Sequence, residues 1–245
     1  MSRFVLVPGA GGSAWYWHRV VPMLESRGHQ AVPVELPGND DTAGLPEYAE
    51  AIVEAIDGDP TAVVVAQSLA GFSAPIACTT QPVRELILVN AMIPLLGETP
   101  GDWWVNTGAT EARQAAAVEG GYSPVFDTRT YFLHDISPDV LAGGPDRPPV
   151  EADIVFSQPC TISSWPPVDT RVIGGREDRF FPVEFQRRVA RDRLDCDIEV
   201  VPGGHLLALS RPEPLVDRLC GQWQHGQTGP ARASNRRPTH LLQRP

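Results

Sequence analysis

Lysine is absent from this chain of 245 residues, in which all 20 basic residues are arginine. Pyridoxal-phosphate enzymes and Schiff-base aldolases need a lysine amine for their covalent chemistry. Walker-A nucleotide sites need a lysine that contacts the phosphates. The composition therefore excludes these classes of protein before any motif is considered.

Long apolar runs, paired cysteines and a positive net charge are also missing. No apolar run approaches the roughly 18 residues of a membrane-spanning helix, and no signal peptide is visible at the start. We therefore expect a cytoplasmic protein, a monomer or a homodimer, that binds no membrane. The net charge of −10 argues against nucleic acid as a partner. No Cys-x-x-Cys pair suggests a metal site or a disulfide framework among the cysteines, which are Cys78, Cys160, Cys196 and Cys220.

The chain does contain an alternation of strand-like and helix-like stretches. The strand-like runs are apolar and rich in β-branched residues, and they lie near residues 3–7, 31–36, 62–66, 84–89, 170–173 and 197–201. Alternation of this kind predicts an α/β protein with a mostly parallel, doubly wound sheet. We expect residues 1–90 and 168–225 to form its core. Residues 226–245 lack periodicity and are predicted to be a disordered tail.

The alternation of strand-like and helix-like stretches is interrupted between residues 91 and 167, where glycine, proline and aromatic residues are frequent. Disordered segments are poor in aromatic residues, so we expect a helical lid that is inserted between strands and covers an apolar pocket. Trp103, Trp104 and Phe132 are its candidates for contact with a substrate. Some of its arginines could bind a carboxylate, although exposed arginines are usually solvated: Arg113, Arg129 and Arg147.

The stretch from Thr61 to Phe72 is a candidate nucleophile elbow. An apolar run ends in Ala66-Gln67-Ser68-Leu69-Ala70, and helix-compatible sequence follows. The elbow is a sharp turn between a strand and a helix, with small residues, more commonly glycines, two positions before and after the serine. Such a turn exposes the Ser68 hydroxyl and directs the N–H of Leu69 toward an oxyanion on an attacked carbonyl. Alone, the same pattern also fits a serine that caps a helix.

A glycine-rich loop, Pro8-Gly9-Ala10-Gly11-Gly12, follows the first strand and has three interpretations. A dinucleotide-binding loop needs Gly-x-Gly-x-x-Gly, which is matched only in part because Ala14 holds the last position. An oxyanion loop would present the Ala10 N–H to the nucleophile, with the glycines allowing the loop to approach closely. The third interpretation is a tight turn without a binding role.

A histidine and an acid could complete a catalytic group with Ser68. His205 stands on a Gly-Gly turn after a predicted strand, and Asp178 lies just beyond the preceding strand. Because the carboxyl ends of parallel strands share one edge of a sheet, we expect all three side chains on the same side. His205 would then act as the base and Asp178 would orient it. Glu177 is a competing acid.

The order Ser, Asp, His along the chain resembles that of the α/β-hydrolase superfamily. Phe4-Val-Leu-Val-Pro-Gly-Ala-Gly-Gly-Ser-Ala-Trp15 and Gly28-His29 are similar to the small-ester hydrolases related to methyl-salicylate esterases and hydroxynitrile lyases. The resemblance implies an α/β-hydrolase fold over about residues 3–223. It also implies the site residues: Ser68 as nucleophile, His205 as base, Asp178 as its orienting acid, and the N–H groups of Ala10 and Leu69 as the oxyanion hole.

The chain departs from these relatives at several points. Pro8 replaces the histidine that they usually have in the oxyanion loop, and the lysine of the hydroxynitrile lyases has no counterpart. Asn90 leaves the alternative acid position of some relatives without a carboxylate. A serine at the elbow argues against haloalkane dehalogenases and epoxide hydrolases, which use an aspartate there.

We therefore expect a serine hydrolase that cleaves a small carboxylic ester, thioester or lactone through an acyl-enzyme, without a cofactor. The expected substrate contacts are Gly9, Trp103, Trp104 and Phe132. Two alternatives remain on the same fold: a small-molecule receptor that retains the triad, and a cofactor-free oxygenase or lyase that uses the histidine as its base.

Overall fold

The computed structural model describes residues 1–145 and 150–221, so the tail predicted for residues 226–245 lies outside the described residues. The strands are β1 Arg3–Val7, β2 Gln30–Pro33, β3 Val63–Gln67, β4 Glu85–Val89, β5 Asp169–Gly175 and β6 Glu199–Val201. They form one sheet in the order β2-β1-β3-β4-β5-β6, and every neighbouring pair is parallel. The predicted α/β fold with a parallel, doubly wound sheet is confirmed.

Helices connect the strands. They are α1 Val21–Ser26, α2 Leu45–Ile56, α3 Ala70–Thr80, α4 Pro100–Thr107, α5 Ala109–Gly120, α6 Thr128–Tyr131, α7 Pro138–Ala142, α8 Ile154–Ser157, α9 Val183–Leu194, α10 Leu207–Ser210 and α11 Pro212–Cys220. Helix α2 illustrates why they form, since Leu45, Ala49, Ile52 and Ile56 recur at helical spacing and are all buried. None of the described helices has the length and apolar character needed to cross a membrane.

The core lies on both faces of the sheet. Alternate residues of β3 point to opposite faces, as the pleat requires, so Val64 packs with α2, α3 and α9 while Val65 packs with α1 and α11. All five residues of β3 are buried. Because a fully buried valine contributes about 1.5–3 kcal/mol, this strand is a stable base for the turn that follows it.

Residues 91–167, which we call the inserted segment, run between β4 and β5 and contain α4 to α8. Apart from Met1, the exposed large hydrophobic residues of the described chain all belong to it: Val105, Val118, Val125, Phe126, Leu141 and Val150. Trp103 of the same segment is, in contrast, completely buried. Its side chain is 0% exposed, and its indole N–H donates to the Ile93 carbonyl at 3.1 Å. The segment is therefore anchored in the core through Trp103, and it carries most of the exposed large hydrophobic residues of the described chain.

Gly71 allows α3 to pack tightly against the chain that follows β4. A Cβ atom added at Gly71 would lie 1.8 Å from the Met92 carbonyl oxygen. We expect Gly71→Ala to lower the free energy of unfolding by about 3 kcal/mol or more, measured by chemical denaturation. Gly143→Ala is the control, since its added carbon would meet no atom closer than 3.7 Å. Equal stabilities of the two variants would contradict this account of the packing.

Candidate active site

Ser68 occupies the sharp turn between β3 and α3, and its φ of +52° lies in the left-handed region that few non-glycine residues adopt. Hydrogen bonds fasten this turn to the chain after β4. The Ser68 N–H donates to the Val89 carbonyl at 3.2 Å, and the Ser68 carbonyl accepts from the Met92 N–H at 3.0 Å. The backbone therefore has the strained form of a nucleophile elbow rather than that of a simple helix cap.

Ser68, His205 and Asp178 form one hydrogen-bonded line. The Ser68 Oγ lies 3.1 Å from His205 Nε2, and His205 Nδ1 lies 2.9 Å from Asp178 Oδ2. Since an ionised carboxylate can only accept, it fixes the imidazole proton on Nδ1 and leaves Nε2 to accept from the serine hydroxyl. The line is nearly closed to water, with Ser68 8% and His205 2% exposed. This arrangement can take the proton from the hydroxyl.

Other donors hold the Asp178 carboxylate in place. Its Oδ1 accepts from the N–H groups of Phe180 and Phe181 at 2.8 and 2.9 Å, and its Oδ2 accepts from Gln186 Nε2 at 3.2 Å. The competing acid, Glu177, is exposed and accepts instead from the Gly203 N–H. Asp178 is thus the carboxylate that contacts the imidazole.

Asn90 connects the two loops that carry His205 and Asp178. This completely buried side chain donates to the carbonyls of Gly204 and His205 at 3.0 and 2.9 Å. Its Oδ1 accepts from the Gly175 N–H at 2.7 Å and from Gln186 Nε2 at 3.2 Å. The sequence offered one signal for this role, a polar residue directly after an apolar strand.

The inserted segment also reaches the histidine loop. The Asp135 carboxylate accepts from the Gly204 N–H at 2.7 Å. Beside it, both ring nitrogens of His134 are buried and without a hydrogen-bond partner among the described residues. Burial lowers the pKa of His134, and the Asp135 carboxylate opposes this shift in part.

The glycine-rich loop lies against Ser68. A Cβ atom added at Gly9 would lie 2.8 Å from the Ser68 Cβ, so only glycine permits this approach. The Glu151 carboxylate of the inserted segment fixes the loop by accepting from the Gly11 N–H at 2.7 Å and from the Tyr48 hydroxyl. Burial raises the pKa of Glu151.

The two N–H groups predicted for the oxyanion hole are available. Neither the Ala10 nor the Leu69 N–H donates a hydrogen bond to any residue that the structure describes. Leu69 directly follows Ser68 in the chain. Ala10 directly follows Gly9, which packs against Ser68, and Ala10 is exposed. Both N–H groups thus stay candidates for the predicted oxyanion hole.

Aromatic side chains surround the imidazole. Phe132 stacks on His205 with a centroid distance of 5.1 Å, and Phe180 and Phe181 contact its edge at 5.0 and 5.2 Å. Trp104 lies one ring further away, 5.2 Å from Phe180. Trp103 packs in the core against Phe181 without exposed surface, which corrects the expectation that it contacts a substrate.

A surface cavity of about 740 Å³ lies elsewhere, between β6 and α11. Its lining includes Arg171 but none of the residues around Ser68, and Arg171 is paired with Glu85 and Glu199.

Among the described residues, no group of three histidine, cysteine or acidic side chains could hold a metal ion.

Comparison with known proteins agrees with the fold. Residues 4–218 match the model described as "Alpha/beta hydrolase family". Methylesterase 9 of Arabidopsis thaliana is 25% identical, with 89% of this chain and 97% of that protein covered. Alpha-hydroxynitrile lyase of the same plant is 24% identical, with 89% and 95% covered. The crystal structure of a pyrethroid hydrolase from Sphingobium faniae matches with a TM-score of 0.69 and 18% identity, covering 89% and 95% of the two chains. That likeness shows the fold alone.

The stability of the fold should depend on pH through the imidazole of His134. Because the pKa of His134 in the folded chain lies below its ordinary value of 6.5, the unfolded chain binds the proton first as the pH falls. The contribution to stability is complete above pH 6.5 and is lost as the pH falls toward the lowered pKa. We expect His134→Phe to reduce the fall in Tm between pH 7.5 and 5.5, measured by calorimetry. The exposed His18, changed to Phe, is the control, and the same change in slope in both variants would contradict the assignment.

The buried amide of Asn90 should hold the His205 loop in place through its two donated hydrogen bonds. Asn90→Asp keeps the size of the side chain but turns a carboxylate oxygen toward the carbonyls of Gly204 and His205. We expect the free energy of unfolding to fall by about 3 kcal/mol, the order of lost buried hydrogen bonds, and the NMR signal of the His205 Nδ1 proton to shift. Asn39→Asp, at an exposed position, should change stability by less than about 0.5 kcal/mol. An unshifted proton signal would mean that Asn90 does not position His205.

Proposed function

The chain belongs to the alpha/beta hydrolase family, and we propose that it hydrolyses a small carboxylic ester through an acyl-enzyme on Ser68. The observation that carries this proposal is the line from Ser68 through His205 to Asp178, with distances of 3.1 and 2.9 Å. The relatives that are named esterases support ester hydrolysis as the type of reaction.

In the first half of the proposed reaction, His205 Nε2 takes the proton of Ser68 Oγ as the oxygen attacks the ester carbonyl. The carbonyl oxygen becomes an oxyanion, which accepts from the N–H groups of Ala10 and Leu69. Asp178 stabilises the imidazolium. Collapse of the tetrahedral intermediate breaks the bond to the alcohol, and the imidazolium returns the proton to the departing oxygen. The acyl group remains on Ser68.

In the second half, water takes the place of the alcohol. His205 removes a proton from the water as it attacks the acyl carbonyl, and the same N–H groups accept the second oxyanion. The imidazolium then protonates Ser68 Oγ, which leaves as the hydroxyl and releases the carboxylic acid. The aromatic rings around His205 support this chemistry because they limit the access of bulk water.

Ester hydrolysis fits the residues better than lyase chemistry. Hydroxynitrile lyases of the similar group carry a lysine beside the catalytic histidine, and this chain has no lysine. The neighbours of His205 are Gly204 and Leu206, which carry no charge. The available groups therefore activate a serine but do not supply a second cation.

A fluorophosphonate tests the proposal directly. We expect intact mass spectrometry to find one adduct on the wild type and none on Ser68→Ala. With p-nitrophenyl acetate and a panel of methyl esters, Ser68→Ala should lower kcat by about 10³-fold or more. Ser26→Ala, at an exposed serine, is the control and should keep both properties.

The other outcomes distinguish the alternative functions. Turnover that survives in Ser68→Ala would overturn the acyl-enzyme mechanism in favour of a reaction with His205 as the base. Tight binding of a small molecule without an adduct or turnover would indicate a receptor.

A further inference from the structure

A continuous group of aromatic rings leads away from His205 into the inserted segment. We call Phe126, Tyr131, Phe132 and Phe180 the aromatic patch. Phe132 and Phe180 contact the imidazole, and Phe126 lies 5.6 Å from each of them. Tyr131 stacks on Phe126 at 5.6 Å. Except for the completely buried Tyr131, these rings keep exposed surface, and Phe126 is 43% exposed.

Arg113 of α5 is the cation at the far side of this aromatic patch. Its guanidinium carbon lies 5.4 Å from the centre of Phe126, 5.2 Å from Tyr131 and 5.8 Å from Phe180. The same Phe180 ring contacts His205 at 5.0 Å. A single phenyl ring therefore separates the guanidinium from the imidazole.

Within residues 1–145 and 150–221, Arg113 differs from the other half-buried and buried arginines in having no acceptor. Arg171 and Arg193 pair with glutamates, and Arg19 and Arg179 donate to backbone carbonyls. No described residue accepts a hydrogen bond from Arg113, whose Nε is buried and unpartnered. The aromatic faces offer about 0.5–2 kcal/mol of cation–π attraction, but they do not satisfy N–H donors.

We propose that Arg113 binds a free carboxylate on the substrate, so that the preferred ester carries a second, anionic end. This inference rests on the proposed function. A guanidinium presents parallel N–H groups that match the two oxygens of a carboxylate. The aromatic patch suits a short apolar spacer, such as one benzene ring, between the carboxylate and the ester. Since the net charge of the chain is −10, a local cation is needed to attract an anion to this site.

Two substrates of the same shape test the proposal. Monomethyl terephthalate carries the free carboxylate, and methyl 4-carbamoylbenzoate replaces it with a neutral amide. We expect Arg113→Met to lower kcat/KM for the anionic ester by about 10–100-fold, mainly through KM, as for a lost charge-assisted hydrogen bond. The amide ester should change less than about twofold. Arg129→Met, at an exposed arginine of the same segment, should affect neither substrate.

A binding measurement separates this proposal from the proposed function. Calorimetric titration of Ser68→Ala with terephthalate and its neutral diamide does not depend on turnover. We expect the dianion to bind, and the additional Arg113→Met change to weaken that binding by the same 10–100-fold. If affinity depends on Arg113 while the wild type cleaves no ester, the carboxylate site stands and the esterase proposal fails. If esters are cleaved but Arg113→Met weakens both substrates equally, or neither, the carboxylate site is overturned.

Discussion

A serine held at a φ of +52° costs about 1–2 kcal/mol relative to ordinary backbone, and the neighbouring chain stabilises Ser68 in that conformation. Met92 and Val89 fasten it by hydrogen bonds to the end of β4. Gly71 lets α3 approach that same chain, and Gly9 lets the glycine-rich loop approach the serine. The backbone packing at one turn therefore determines where the hydroxyl and the nearby N–H groups lie.

The inserted segment holds both sides of the site. Asp135 and Phe132 contact the loop and the ring of His205, while Glu151 fixes the glycine-rich loop through Gly11. A displacement of the segment would thus disturb the proposed base and the proposed oxyanion hole together. A lid formed by this segment, as the sequence predicts, would thus be coupled through these contacts to the position of the groups that are proposed to react.

The sequence predicted the parallel sheet and the grouping of Ser68, Asp178 and His205, because strand ends in a parallel sheet share one edge. The roles of Asp135 and Glu151 could not be predicted, since their contacts are with residues far away in sequence. For Asn90 the sequence offered only a polar residue after an apolar strand, without its distant partners. Aromatic composition likewise could not separate Trp103, which fills the core, from Phe132, which stacks on His205. Core and substrate pocket are both apolar, so only packing distinguishes them.

Asp178 is positioned by a chain of contacts that ends in a buried ion pair. The turn that contains Asp178 is followed by α9, and Gln186 of this helix donates a hydrogen bond to the Asp178 carboxylate. Helix α9 is in turn joined to the inserted segment through Arg193, whose guanidinium forms two hydrogen bonds with the buried Glu98 carboxylate. Removing one member of such a pair costs about 3–5 kcal/mol. Because all basic residues of this chain are arginines, the pair has a planar guanidinium, which holds the carboxylate in a fixed geometry. The carboxylate that contacts the imidazole is thus connected through α9 to an ion pair outside the proposed site.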